Sequence, residues 1–527
     1  MARTRQNFMG GAAILAGAVA VTKLLGAVYK IPLGNLLDSE GMAHFYAAYN
    51  IYSLLLVLST AGLPVALSRL VAKAAAQRRY AGARRGFRTA LALLAAIGLV
   101  CSAVMCAMPQ MLAGWLHDEA AHAIRALGPA VALVCVSSAL RGFGQGLGDM
   151  LPTAAGQITE SAGKLVIGLA LCLVLLNRNA PAALCAAGAI GGVTAGAALG
   201  LLVTAYLTSR RCTLPEARDV PPSRRETLRQ LLAVGVPITV GAAGMSLITL
   251  LDQALVTDTL RNTLGYSAAE TSALYGQYTF GMTLFQLPPS FIYPVSVSLM
   301  PAITAALTRQ DRRAAGRAVG AALKLTTLAA LPAGVGLSVL AEPILLLLYP
   351  AVPDTARAAA YHLTFLGLAC VFVCLMVATN GVLQAYGRPY IPVFTLLCGG
   401  VMKIVTNYLM VGDPATGIRG AAVSTLYCYA LIVVLNLLAI ARYVPERPGY
   451  IGLFAKPLLL TAVMALAARS SYGLLVRCLP ERWAVLPAIL IAAAVYILLA
   501  LATGTVTRQE LLTLPKGEKI AQILGLR

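Results

Sequence analysis

Lys23 and Lys30 lie inside a long apolar stretch, where a charge is costly unless it has work to do or a partner. Seven residues make two helical turns, so on a helix both ammonium groups can share one face. Together they would form a cationic wall for a phosphate or carboxylate. In the other reading Lys30 snorkels to the outer interface and only Lys23 needs a partner. Glu160 and Lys164 stand four apart in another apolar run and could neutralise each other on one helix face. Lys403 occupies a later run that has Gly399 where the matching acid would stand. Asp252 could pair with Lys23, bind a coupling cation or proton, or be solvated near the outer end of its run. Uncharged polar groups add Tyr46, Tyr49, Asn50 and Tyr52, then Gln277, Tyr278 and Gln286, then Asn380 and Gln384. Amides and hydroxyls in lipid need a bundle interior or a wet cavity, for sugar hydroxyls or for plain interhelical hydrogen bonds.

The elements that must carry these residues follow from composition. The 527-residue chain is 59% hydrophobic and only 12% charged, with a mean hydropathy of +0.79. Soluble domains carry about a quarter charged residues, so this chain belongs in a membrane. Its apolar runs are continuous and about 20 residues long, which suits helices and excludes the alternating strands of a β-barrel. The net charge of +21 sits in short loops, without interleaved aromatics, and so argues for membrane topology rather than nucleic acid. Eleven cysteines, mostly within apolar runs and without a CxxC pair, read as small buried hydrophobes. His44, His117, His122 and His362 lack zinc-ligand spacing, and no phosphate-binding loop occurs. Neither an enzyme, a metal site nor a cofactor is expected.

The expected fold class is an all-α polytopic membrane protein of about fourteen transmembrane helices: two pseudo-symmetric six-helix lobes plus two C-terminal helices. The lobes would be residues 1–208 and 231–445, joined by a basic, Pro-containing cytoplasmic linker, 209–230. Residues 446–527 would hold the last two spans and a cytoplasmic tail, with Arg469 interrupting the thirteenth span. With both termini cytoplasmic, the inside loops hold about 27 Lys and Arg against roughly 9 outside, the asymmetry of an inner-membrane protein. Acids such as Asp38, Glu40, Asp118, Glu119, Asp258 and Asp413 fall in the outer loops.

An internal repeat supports two lobes. Residues 62–72 match 293–302 at an offset of 230, which sets Pro64 on Pro294 and Ser68 on Ser298. Residues 142–148 (Gly-Phe-Gly-Gln-Gly-Leu-Gly) match 381–387 (Gly-Val-Leu-Gln-Ala-Tyr-Gly) at 239, and the same offset places Lys164 on Lys403. Copies six spans apart have the same orientation, a geometry suited to alternating access around a midplane site.

Residues 23–34 (Lys-Leu-Leu-Gly-Ala-Val-Tyr-Lys-Ile-Pro-Leu-Gly), 38–42 and 52–64, with 286–294 and 381–387 in the second half, resemble the stage V sporulation protein B family. That polysaccharide-biosynthesis transporter family is similar to the lipid II flippases of the multidrug/oligosaccharidyl-lipid/polysaccharide exporter superfamily. The resemblance spans nearly the whole chain. It implies a central cationic cavity, a two-helix groove for a lipid tail, and an undecaprenyl-diphosphate-linked, anionic saccharide as substrate. Cell-wall synthesis enzymes are candidate partners, and the bilayer is the setting. The lipid II flippases carry arginines on their first, second and eighth spans. Here Lys23 keeps the charge at the matching first-span position and Tyr29 replaces the second arginine, so Lys23, Lys164 and Lys403 would share the role. A cation-coupled multidrug or metabolite exporter of the multidrug and toxin extrusion type is the alternative function. A non-transporting scaffold for wall enzymes is the third.

Overall fold

The computed structural model describes residues 8–116, 120–216, 219–445 and 449–505. His117, Asp118, Glu119, Arg218 and the expected tail beyond residue 505 lie outside the described residues, as do the side chains of 293–302. The regular elements are all helical. They begin with α1 (Phe8–Thr60), α2 (Leu63–Ala76), α3 (Tyr80–Ala107), α4 (Pro109–Gly114), α5 (Ala121–Gly146) and α6 (Leu151–Asn177). Next come α7 (Ala182–Arg211), α8 (Arg224–Asp258), α9 (Ala268–Phe285), α10 (Leu287–Thr308), α11 (Arg312–Val339) and α12 (Ala341–Leu348). The chain continues through α13 (Pro353–Ala385), α14 (Tyr390–Val411), α15 (Arg419–Tyr443), α16 (Tyr450–Leu475) and α17 (Glu481–Ala502).

Helices are the solution that hydrocarbon enforces, because each satisfies its own backbone groups without water. Twelve stretches of the described residues are long and apolar enough to cross a membrane. The first, Gly17–Ala76, counts once although Asp38 divides α1 with φ 62° and ψ −172°. Its ψ takes Asp38 out of the left-handed helical region as well, and its side chain accepts the following Ser39 N–H. Helices α9 and α10 are not among the twelve. Arg469 does not break α16, because it lies exposed near that helix's C-terminal end.

The chain forms two compact units, Met1–Gly276 and Gln277–Arg527. In the first, α6 runs along α7, α5 packs on α3 and α7, and α1 lies against α5, α6, α7 and α8. In the second, α11 packs on α13 and α16, α15 on α13 and α14, and α17 on α16.

Backbone turns establish the repeat more firmly than sequence motifs do. Arg78 (φ 57°) precedes α3 and Gln310 (φ 58°) precedes α11, and each of these helices has 28 residues. The turn bond Arg79 N–H to the Ala74 carbonyl recurs as Asp311 N–H to Ala306, at an offset of 232. Gly148 (φ 82°) and Gly387 (φ 73°) end α5 and α13. There Asp149 N–H binds the Gly144 carbonyl as Arg388 N–H binds that of Leu383, both at 3.0 Å and offset by 239. Lys164 and Lys403 therefore occupy the same turn of α6 and α14. The offset of 230 expected for Pro64 and Pro294 gives way to 232 at the ends of α2 and α10, since runs of small residues align in more than one register.

Candidate functional site

The first unit gathers charge on a scaffold of glycines. Gly192, Gly196 and Gly200 recur every four residues along one face of α7, letting the α6 backbone come close. A Cβ on Gly196 would meet the Glu160 carbonyl oxygen at 2.4 Å, and one on Gly200 would meet the Glu160 Cβ at 2.8 Å. The seam thus fixes the turn of α6 that carries Glu160 and Lys164.

Tyr29 fastens α1 to this seam. It is fully buried, and its hydroxyl donates to the Ala189 carbonyl of α7 at 2.8 Å. Its ring starts an aromatic chain: Phe45 lies 6.0 Å from it, Tyr49 stacks on Phe45 at 5.9 Å and 10°, and Tyr52 follows at 5.9 Å from Tyr49. Residues 45, 49 and 52 share one side of the second arm of α1 through i, i+3 and i, i+4 spacing.

Two lysines meet on those rings. Lys30 Nζ donates to the Tyr46 hydroxyl at 3.0 Å and lies 4.6 Å from the Tyr46 ring centre and 5.5 Å from that of Tyr49. Lys164 Nζ lies 5.1 Å from the Tyr29 ring centre and 5.6 Å from that of Tyr49. Tyr49 therefore serves both ammonium groups, each within the reach at which an aromatic face attracts a cation. Lys23 is exposed in the isolated chain. The site is a cationic, tyrosine-lined patch.

Glu160 corrects one expectation. Its Oε2 pairs with Arg141 on α5 at 2.7 Å rather than with Lys164 on its own helix. A guanidinium reaching across from α5 outcompetes the lysine because its planar fork is shaped for a carboxylate. Asp252 is buried, at 4% exposure, so the solvated alternative for it does not hold. Its neighbour Gln253 accepts the Asn50 amide N–H at 2.7 Å, tying α8 to α1.

The remaining candidates belong to the second unit. Lys403 is buried, and its carbonyl accepts the Ser424 hydroxyl at 3.1 Å. Gln286 is exposed at the break between α9 and α10, and Gln384 is exposed in the last turn of α13. Asn380 accepts the Asn436 amide at 2.8 Å, and Asn436 also donates to Thr379 and accepts from Thr395. That network is an interhelical fastening. Among the described residues no three His, Cys, Asp or Glu side chains gather as a metal site would need.

Sequence reasoning missed Tyr29 as an anchor, Arg141 as the partner of Glu160, and Gln253. The four-residue glycine spacing in α7 was a readable signal for the first. Nothing local marks Arg141, which finds its acid 19 residues away on another helix.

Comparison with known proteins places this arrangement. Residues 8–307 match the polysaccharide biosynthesis protein family, and residues 164–503 match the lipid II flippase MurJ family, each more than half the chain. The chain belongs to the MurJ-type polysaccharide-biosynthesis family. It is a multi-pass membrane transporter, not an enzyme. The chain is 28% identical to the uncharacterized membrane protein YabM of Bacillus subtilis, over 98% of this chain and 96% of that one. It is 25% identical to the stage V sporulation protein B of the same organism, over 84% and 85% respectively. Among solved structures it resembles lipid II flippase MurJ in an inward closed conformation, with a TM-score of 0.69 and 14% identity, over 93% of this chain and 98% of that one. The MurJ-type fold is thus shared by chains that have diverged widely in sequence.

Proposed function

We propose that this protein carries an undecaprenyl-diphosphate-linked cell-wall precursor or oligosaccharide outward across the cytoplasmic membrane by alternating access. The observation that carries the reading is the meeting of Lys30 and Lys164 on the Tyr49 ring, inside a unit built of membrane-crossing helices. Cations held against aromatic faces keep their charge available to an arriving anion, and partial burial strengthens that attraction. A diphosphate supplies the anion, and moving it requires no chemistry.

In this reading Lys23 and Asn50 extend the site within the first unit, and Lys403, Gln286 and Gln384 are the second unit's own candidates for contacts with the cargo. Both arms of α1 cross the membrane, as do α9 and α10 jointly, giving fourteen spans in two six-helix lobes plus α16 and α17. Both termini face the cytoplasm, and wall-synthesis enzymes supply and consume the cargo. A membrane potential negative inside favours exit of an anion by about 2.3 kcal/mol per charge per 100 mV. A cation-coupled multidrug exporter would want a carboxylate able to take a proton or sodium ion; Glu160 is engaged by Arg141, which leaves the buried Asp252 as the candidate for that role.

Depleting the protein in a host without a redundant flippase tests the proposal. Outward exposure of labelled lipid-linked precursor is expected to fall; unchanged exposure removes the idea.

A further inference from the structure

We infer that Arg141 is a positioning residue for the substrate-binding lysine of α6: by holding Glu160, it prevents that acid from neutralising Lys164. The inference rests on the reading of Lys164 as a cation that meets the substrate. Glu160 and Lys164 are spaced i, i+4 on α6, the separation at which opposite charges on a helix attract. The carboxylate instead turns to Arg141 at 2.7 Å, and Lys164 faces the rings of Tyr29 and Tyr49. Arg141 is the more deeply seated partner, 11% exposed against 25% for Glu160.

The second copy of the repeat lacks both the acid and the arginine. The offset of 239 that superposes the α5–α6 and α13–α14 turns sets Lys164 on Lys403, Glu160 on Gly399 and Arg141 on Asn380. A Cβ on Gly399 would meet the Ile432 side chain at 2.4 Å, so any side chain one turn before Lys403 would require Ile432 to shift. With no acid to restrain, an arginine is not needed at 380, where Asn380 joins the Asn436 network. The acid and its restraining arginine are thus present together in one copy and absent together in the other. This pattern fits a functional couple better than an arginine placed for packing.

Removing Arg141 should release Glu160 onto Lys164 and lower the positive charge offered to the substrate. Removing Glu160 as well should restore it. The test is equilibrium binding of radiolabelled undecaprenyl diphosphate to the purified full-length chain and its variants. Arg141→Gln is expected to weaken binding about tenfold, a shift of one decade in Kd. The double variant Arg141→Gln with Glu160→Gln is expected to return to within about threefold of the native chain, as coupling through one shared partner requires. Lys164→Ala should weaken binding in every background.

An Arg141→Gln variant that melts and binds like the native chain overturns the inference. So does a double variant as weak as Arg141→Gln. Should Arg141→Gln alone fail to fold, the double variant is compared with Glu160→Gln: equal affinities support the inference, and a further loss overturns it. Native-like binding by Lys164→Ala would remove the reading of the site itself. Weak binding by Lys164→Ala beside an unaffected Arg141→Gln removes the positioning role and leaves that reading standing.

Discussion

Gly192 of α7 lies so close to Gly168 of α6 that a Cβ on the first would come within 2.2 Å of the Cα of the second. The two helices touch there through backbone, and Tyr29 of α1 fills the adjoining space, its hydroxyl 3.0 Å from where a Gly168 Cβ would stand. Gly192→Ala should therefore destabilise the chain by about 1–3 kcal/mol, the usual cost of overpacking. Gly191→Ala is the control, since its Cβ would make only ordinary contact with Leu171 at 3.7 Å. Thermal unfolding of the purified variants reads the difference. Equal melting temperatures would show that the seam is looser than described.

Tyr49 supports two cations with one ring, which separates the effect of its ring from that of its hydroxyl. Tyr49→Phe keeps an aromatic face and should retain substrate affinity within about threefold, whereas Tyr49→Leu should lose about tenfold as both lysines lose their platform. Binding of undecaprenyl diphosphate to each variant decides between them. Equal losses for Phe and Leu would assign the role to the hydroxyl.

Asp219 carries a pH-dependent contact on the loop between α7 and α8. Its carboxylate accepts the Ala81 N–H at 2.8 Å and the Gly82 N–H at 3.1 Å, capping α3, whose own N-cap residue Arg79 offers no side-chain bond. The repeat counterpart α11 is capped by its own Asp311, which accepts the Ala314 N–H at 2.9 Å. The backbone donors, Ala81 first, hold the Asp219 carboxyl below its usual pKa. A depressed folded-state value means the contact is complete above the ordinary carboxylate range and is lost as pH falls through the lowered value. Protection of the Ala81 and Gly82 amides against hydrogen exchange, taken relative to the intrinsic rate at each pH, should be high at neutral pH and fall only in acid. Asp219→Ala should lower that protection at neutral pH too, leaving Ala314 unchanged. Fast exchange in the native chain at pH 7 would contradict the cap.

Gly148 and Gly387 hold the same left-handed turn in the two repeats, and nothing stands within 4 Å of where a Cβ would be. Replacing either by alanine therefore isolates the backbone penalty, about 1 kcal/mol or somewhat more for a residue with a Cβ. Similar losses at both positions, read by denaturant unfolding, are expected. A clear inequality would mean the turns are not equivalent.

Fold class was legible because hydrocarbon leaves few options: continuous apolar runs of helical length admit one secondary structure. The repeat was legible in Gly142–Gly148 and Gly381–Gly387 because a left-handed turn demands glycine, and it slipped by two at Pro64 where no turn pins the register. Lys30, Lys164 and Tyr49 were identifiable singly as polar groups in apolar runs. Their meeting was not, because it depends on Tyr29 docking α1 onto α7, 160 residues away in sequence. The Glu160–Lys164 pairing failed for the same reason: helical spacing is local information, and Arg141 arrives from another helix. The break at Asp38 falls where the sequence placed an outer loop; that helix runs up to it from both sides was not legible.

The central claim is that the lysines on the Tyr49 ring carry the anionic headgroup across. Its most direct measurement is the translocation rate of a fluorescent undecaprenyl-diphosphate-linked saccharide in proteoliposomes holding the native chain or the Lys30→Ala, Lys164→Ala double variant. The double variant, still folded, is expected to lose about tenfold or more in rate, about 1.4 kcal/mol of transition-state stabilisation. A folded double variant that transports at the native rate would contradict the claim.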